Sequence, residues 1–217
     1  LGIKERRERE KAEIREKILD AARELFISEG YEAVSMRKIA DRIEYSPTAI
    51  YLHFKDKEAV MRELCDTDFY ALAQDLQEIA KIADPLQRLN ATGRAYAHFA
   101  LSHPNHYRLM FMTPHPEPKI DEQSIEKGNP EEDAYAFLRG IVAEALSAGR
   151  FLPGFEDPDL IAQTMWAGMH GVVSLQIAKC NDDWVDWRPV EERIELMVET
   201  LIRGLVRETK TDREERV

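Results

Sequence analysis

The sequence predicts an all-α fold of about nine helices, a short helix-turn-helix head followed by a larger helical domain. Three observations carry this. Apolar residues recur at three- and four-residue spacing in one segment after another, the period of an α-helix. Helix starts are written as an N-cap residue followed by proline, as in Ser46-Pro47 and Asp84-Pro85. Alternating strand patterns and internal repeats are absent from the sequence. The expected division is a head over residues 1–57 and a helical domain over 58–217.

The elements follow in order. Lys4 to Lys17 is a mixed-charge run that merges into a helix with Ile14, Ile18, Ala21, Ala22, Leu25 and Phe26 on one face. Gly30 ends it as a C-cap. The basic residues before Ile14 have two readings, an arm reaching a polyanion or a solvated extension. Ser35 caps a second helix carrying Met36, Arg37 and Lys38. Ser46 caps a third, with Pro47, Thr48 and Ala49 behind it, expected to run to Phe54. Asp56 caps a fourth, which starts with Lys57 and Glu58 and runs to about Ile82. The next runs from Asp84-Pro85 to about Ser102. His103-Pro104 breaks the chain before a short apolar helix, Tyr107 to Met112. Thr113 to Glu132 has four prolines, a glycine and many charges, and reads as a surface loop. Helices are then expected over Glu131–Ala148, Pro158–Lys179 and Pro189–Glu208.

Composition sets outer limits. The chain has 217 residues, is 44% hydrophobic and carries a formal net charge of −11. No apolar run approaches the ~20 residues that span a bilayer, and no signal-peptide hydrophobic region is visible. Cys65 and Cys180 make no metal-like spacing and read as reduced thiols of a cytoplasmic protein. The charge is uneven. Residues 1–55 hold 12 basic and 11 acidic residues, and the rest hold 18 and 30. An acidic body does little harm to phosphate binding by the head if it sits beyond a Debye length of ~8 Å.

The helix starts of the head are unusual. A helix N-terminus favours acids, yet Arg37, Lys38 and Lys57 sit at two of three starts, and the middle start is uncharged. Such ends suit an external anion, because free backbone N–H groups and basic side chains converge on it. In the middle helix Ile50 and Phe54 share the inward face, toward Ile39, Ala40 and Ile43. Thr48 and Leu52 then point the opposite way, with Tyr51 and Lys55 on one flank and Ala49 and His53 on the other. This arrangement fits a recognition helix in a major groove. The bland alternative is a short surface helix of an all-α bundle.

Val34-Ser35-Met36-Arg37-Lys38-Ile39-Ala40, Tyr45-Ser46-Pro47-Thr48-Ala49-Ile50-Tyr51-Leu52-His53-Phe54 and Lys55-Asp56-Lys57-Glu58 closely resemble the DNA-binding domain of TetR-family transcriptional regulators. The resemblance covers Ile14 to about Leu64. It implies that Tyr51 and Lys57 hold backbone phosphates and that the helix carrying Tyr51 enters the major groove. The expected DNA-contacting set is Ser35, Arg37, Lys38, Ser46, Pro47, Thr48, Ala49, Tyr51, Leu52, His53 and Lys57. The chain departs from the family in the turn before the recognition helix, where Glu44-Tyr45 stand in place of a glycine or small residue.

The last two helices point to a homodimer. Val190, Ile194, Met197, Val198, Leu201, Ile202 and Leu205 form one stripe. Pro158–Lys179 is apolar nearly all round, which predicts burial on every side. Gly168 and Gly171 allow close backbone approach. The expected interface uses Gly168, Gly171, Leu175, Leu201 and Leu205 about a two-fold axis. Trp166 to Gly171 also resembles the regulatory domain of one TetR subgroup marked by a tryptophan, a histidine and a glycine. That domain implies a small-molecule effector. Tyr96, Phe99, Tyr107, Met110, Phe111, Phe137, Met165, Trp166, Met169 and His170 are candidates to line its cavity, against the plainer role of filling the core.

The competing classes are an all-α enzyme and a protein-interaction module without DNA binding. The sequence has no nucleophile elbow, no phosphate-binding glycine loop and no Glu-x-x-His pair at bundle spacing. His103 and His106 lack a third ligand at a recognisable spacing, so no metal and no cofactor is expected. The combined expectation is a non-enzymatic, cytoplasmic, homodimeric regulator. It would be a repressor bound to a palindromic double-stranded DNA operator and released by an unidentified small molecule, with no membrane association.

Overall fold

The computed structural model describes residues 2–114 and 125–206, and the regular elements among them are helices. The helices are α1 (Ile3–Glu29), α2 (Met36–Arg42), α3 (Pro47–Tyr51), α4 (Lys57–Gln77), α5 (Pro85–Ser102), α6 (Pro104–Phe111), α7 (Ala134–Ser147), α8 (Pro158–Lys179) and α9 (Val190–Leu205). A 3-10 turn, Ile79–Lys81, follows α4. The only β-type pairing among the described residues is a single bridge, Phe151 to Val206. No helix is long and apolar enough to cross a membrane, among the described residues. Part of the expected 113–132 loop and the expected end of the last helix lie outside the described residues.

Local rules account for most boundaries. The Asp84 carboxylate accepts from the Leu86 and Gln87 amides, Asp133 from Tyr135 and Ala136, and Asp157 from Asp159 and Leu160. Gly30 closes α1 at φ +84°, where a side chain would be strained. The third helix is shorter than expected. It stops at Tyr51, and Leu52 caps it. Phe54 still turns into the core.

The chain forms two compact units. The first holds α1, α2, α3, α4 as far as Phe69, and α6. Its core is Ile18, Ala22, Leu25 and Phe26 of α1, Met36, Ile39 and Ala40 of α2, Ile50, Phe54, and Val60, Met61 and Leu64 of α4. Leu109 of α6 joins the same core. The division therefore falls later than residue 57, because α4 supplies one wall of the head and α6 packs on α1.

The second unit holds the end of α4 with α5, α7, α8 and α9. These last four pack as a bundle around Leu89, Phe137, Ile141, Val142, Ala145, Ile161, Ala162 and Met165. Two glycines set its closest approaches. A Cβ at Gly93 would lie 2.9 Å from Val198, and one at Gly168 would lie 2.9 Å from Leu201.

Within this chain α8 is covered along one side only. Met165, Met169, Val172 and Val173 face the bundle. The opposite face, with Leu160, Thr164, Ala167, Gly171, Leu175 and Ala178, is open or half open within this chain. That face carries no charged residue between Asp159 and Lys179.

Candidate nucleic-acid interface

The head builds its outward surface from capped helix starts. Ser35 Oγ accepts from the Lys38 amide at 3.3 Å, and Ser46 Oγ accepts from the Ala49 amide at 3.2 Å. Asp56 accepts from the Ala59 amide at 2.7 Å, which starts α4. Between α2 and α3 the chain turns through Glu44, whose φ of 60° is the only positive value among the described non-glycine residues. The Tyr45 amide then bonds the Ala40 carbonyl at 3.0 Å. The turn thus forms without glycine by holding Glu44 in the left-handed region.

Ile50 is the buried residue of α3, and Thr48 and Tyr51 face out. Leu52 is 78% exposed and Tyr51 54%. A leucine this exposed at the end of a five-residue helix has no packing purpose within the head. Ser35, Arg37, Lys38, Ser46 and Thr48 are exposed, and Pro47, Ala49, His53 and Lys57 are half-buried. Arg37 pairs loosely with Asp41 at 4.0 Å, and Lys38 with Glu29. Lys57 is held from behind. Its ammonium donates to the Tyr31 carbonyl at 2.8 Å and lies 4.1 Å from the centre of the Tyr31 ring. Burial and the nearby Glu58, Glu32 and Asp56 push the Tyr31 phenol up to about 12.

Two contacts that hold this surface escape a reading of the sequence. Arg15 of α1 donates to the His53 carbonyl at 2.7 Å, covers the Phe54 ring at 4.1 Å and pairs with Glu63. It clamps the end of α3 to α1 and α4. Arg23 and Asp68 form a buried two-point ion pair between α1 and α4. His106 Nδ1 of α6 lies 2.8 Å from the same carboxylate. His106 thus belongs to this link, and no cluster of three metal-binding side chains occurs among the described residues.

The effector candidates separate. Tyr107, Met110 and Phe111 belong to the first unit, where the Tyr107 and Phe111 ring centres lie 4.9 Å apart at a tilt of 49° and Phe69 meets Phe111 edge-on at 5.5 Å. In the second unit Trp166 Nε1–H donates to the Tyr96 hydroxyl at 3.0 Å, and that hydroxyl lies 3.4 Å from His170 Nδ1. Burial lowers the His170 value, favouring the neutral ring. Tyr135 lies beside Trp166 and donates to Asp159 at 3.0 Å. Phe99 and Met169 are buried, and Phe137 sits in the bundle core. Gly168 meets Leu201 of its own chain, a Cβ at Gly171 would meet nothing within 4 Å among the described residues, Leu175 is exposed, and Leu201 and Leu205 are half-buried.

These features have counterparts in known proteins. Residues 18–64 match the family profile "Bacterial regulatory proteins, tetR family". Residues 89–201, just over half the chain, match "Tetracyclin repressor-like, C-terminal domain". The chain is 35% identical over 103 residues to the HTH-type transcriptional activator FasR of Mycolicibacterium smegmatis, covering 46% of each chain. It is 37% identical over 70 residues to an HTH-type transcriptional repressor of Mycobacterium tuberculosis, covering 32% of this chain and 33% of that one. The chain thus spans less than half the length of these relatives. A Rhodococcus sp. RHA1 protein of unknown function has the same fold, with a TM-score of 0.67 and 26% identity over 89% of this chain and 95% of that one. Matched at both the capped head and the helical bundle, the chain belongs to the TetR family of transcriptional regulators, whose head is a helix-turn-helix DNA-binding domain.

Proposed function

We propose that this regulator is a cytoplasmic homodimeric repressor that occupies a palindromic operator and leaves it when a small molecule binds the helical domain. The observation that carries the DNA half is the α3 surface, where Thr48, Tyr51 and Leu52 project from a helix pinned by Ile50 below and Arg15 at its end. Phosphates are held by Tyr51 and Lys57 and by the exposed starts at Ser35, Arg37, Lys38 and Ser46, with Pro47, Ala49 and His53 shaping the surface. Thr48 and Leu52 read base edges, and Leu52 suits a thymine methyl.

The dimer half rests on α8. Its open face runs from Leu160 to Ala178 without a charge, and Gly171 leaves room for a second backbone. A two-fold pairing of this face with Leu175, beside the α9 residues Leu201 and Leu205, would bury it. The Trp166–Tyr96–His170 chain is read as the polar end of the effector site, and Trp166, His170 and Gly171 as its subgroup marker. A ligand favouring one head spacing over another would release the operator by population shift.

The deciding experiment is an operator selection from randomised duplexes, run on the unmodified chain and on Leu52→Asn. The expected result is a palindrome with half-sites about one helical turn apart, ~34–36 Å. The variant should change the preferred bases and leave thermal stability within ~0.5 kcal/mol, as for an exposed residue. An identical preferred sequence for both proteins would remove Leu52 from base readout.

A further inference from the structure

The N-terminal third of α1 lies outside the core. The first core residue is Ile18, with Ile14 packed at its edge, yet the helix begins at Ile3. At 1.5 Å per residue it runs roughly 20 Å beyond Ile18. A solvated extension needs no order in its charges, but these are sorted. At 100° per residue, Lys4, Arg7, Lys11 and Arg15 fall within an arc of about 80°, on the side that carries Ile18 further along, with one acid, Glu8, at the edge of that arc and in no ion pair among the described residues. Arg6, Arg9 and Lys17 lie on the opposite side, among Glu5, Glu10, Glu13 and Glu16.

The ion pairs follow the same division. Arg6 pairs with Glu10 at 2.8 Å and Arg9 with Glu13 at 3.7 Å, both along the opposite side. Among the described residues Lys4, Arg7 and Lys11 make no ion pair, and all three are exposed. The stripe also starts in a definite place. Its last member, Arg15, donates to the His53 carbonyl just past the end of α3. Lys11, one turn back, is close enough to the His53 ring to act with Arg15 and burial in lowering its basicity. A row of unpaired cations therefore leads away from the end of the helix that carries Thr48, Tyr51 and Leu52.

We propose that Lys4, Arg7 and Lys11 are a second contact with duplex DNA, laid along the sugar-phosphate backbone beside the groove that α3 enters. The proposal rests on the DNA-binding reading of the head and adds a surface outside the helix-turn-helix. Lys4 and Lys11 are about 10 Å apart along the helix, and a duplex carries one phosphate per ~3.4 Å on each strand, so all three cations can reach different phosphates of one strand. The contact is independent of base sequence. It strengthens every complex and sharpens the salt response.

The test measures affinity for a random-sequence duplex by fluorescence anisotropy between about 50 and 200 mM NaCl. Three proteins are compared with the unmodified chain. These are Lys4→Gln/Arg7→Gln/Lys11→Gln, the charge-matched Arg6→Gln/Arg9→Gln/Lys17→Gln from the opposite side, and Lys57→Ala. The stripe variant should lower the slope of log affinity against log salt by about 2.7 per head, a roughly 40-fold smaller loss of affinity over that range. The charge-matched variant should lower it by less than about one. Equal slopes for the two triple variants would overturn the stripe, since net charge alone would then explain both. So would an unchanged slope for the stripe variant while Lys57→Ala lowers its own, and in that case DNA binding by the head stands. No salt-dependent binding by the unmodified chain would overturn both readings.

Discussion

Glu44 is the residue under most visible constraint. It holds φ at 60°, where a side chain costs roughly 1–2 kcal/mol, so that α2 can turn sharply into α3. Glycine would remove that cost but add ~0.5–1 kcal/mol of chain entropy in the unfolded state. Glu44→Gly should therefore stabilise the head by up to about 1 kcal/mol, read as a higher urea midpoint with unchanged slope. A lower midpoint would show that the Glu44 side chain contributes more than its backbone costs. His170 supplies a second residue-scale expectation. Its folded value lies below the ordinary histidine value because burial disfavours the charged ring. The unfolded chain thus takes up the proton first on acidification. The stabilising contribution is complete above about pH 6.5 and is lost as pH falls through the folded value. His53 is shifted in the same direction by burial, Lys11 and Arg15. The denaturation midpoint should fall from about pH 7 to about pH 5, and less steeply for His170→Gln. An identical fall would assign the acid sensitivity to other groups.

At the scale of elements, the first unit is held by one buried carboxylate. Asp68 is 2% exposed and takes Arg23 from α1 and His106 from α6 while itself standing on α4. Three helices thus share a single anion. Asp68→Asn would leave the Arg23 guanidinium buried with no anion, which costs about 3–5 kcal/mol. Thermal unfolding should show this loss. The double change Asp68→Leu/Arg23→Met should cost less than Asp68→Asn alone, because it removes the stranded charge as well. A double variant no more stable than the single one would mean that packing, and not charge pairing, sets the value of this site.

At the scale of the whole molecule, the proposed dimer turns on which face of α8 is covered within the chain and which is left open. Gly168 is used internally, since Leu201 and Met197 lie 2.9 and 3.2 Å from where its Cβ would stand. A Cβ at Gly171 would meet nothing within 4 Å among the described residues. Under the proposed dimer, the two glycines therefore separate fold from assembly. Gly168→Ala should cost about 1 kcal/mol of stability, the low end for overpacking, because both neighbours are ends of flexible side chains. Gly171→Trp should leave the helical signal close to that of the unmodified chain. It should shift sedimentation toward the monomer and weaken operator binding, since one head makes half the contacts. A Gly171→Trp protein that remains dimeric would move the interface elsewhere.

What the sequence determined by itself is what depends on neighbours within about four residues. Ser35, Ser46 and Asp56 cap helices as their side chains imply, because an N-cap bond spans only three residues. The start of α8 agrees with expectation because the Asp157 carboxylate caps it and Pro158 sets its first turn. The outward direction of Thr48 and Leu52 follows from the burial of Ile50 and Phe54 on the same short segment. Tertiary structure decided what depends on residues far apart in the chain. Arg15 reaches His53 across 38 positions and Arg23 reaches Asp68 across 45, and no local pattern distinguishes these arginines from their charged neighbours. The end of α3 moved for the same reason. Its expected continuation to Phe54 is interrupted where Arg15 takes the His53 carbonyl and Phe54 turns into the core of α1 and α4. On α8, apolar composition was legible but its use was not. Whether an apolar residue is covered depends on which helices pack beside it, and α5, α7 and α9 cover one side of α8 and leave Leu160, Gly171 and Leu175 open or half open.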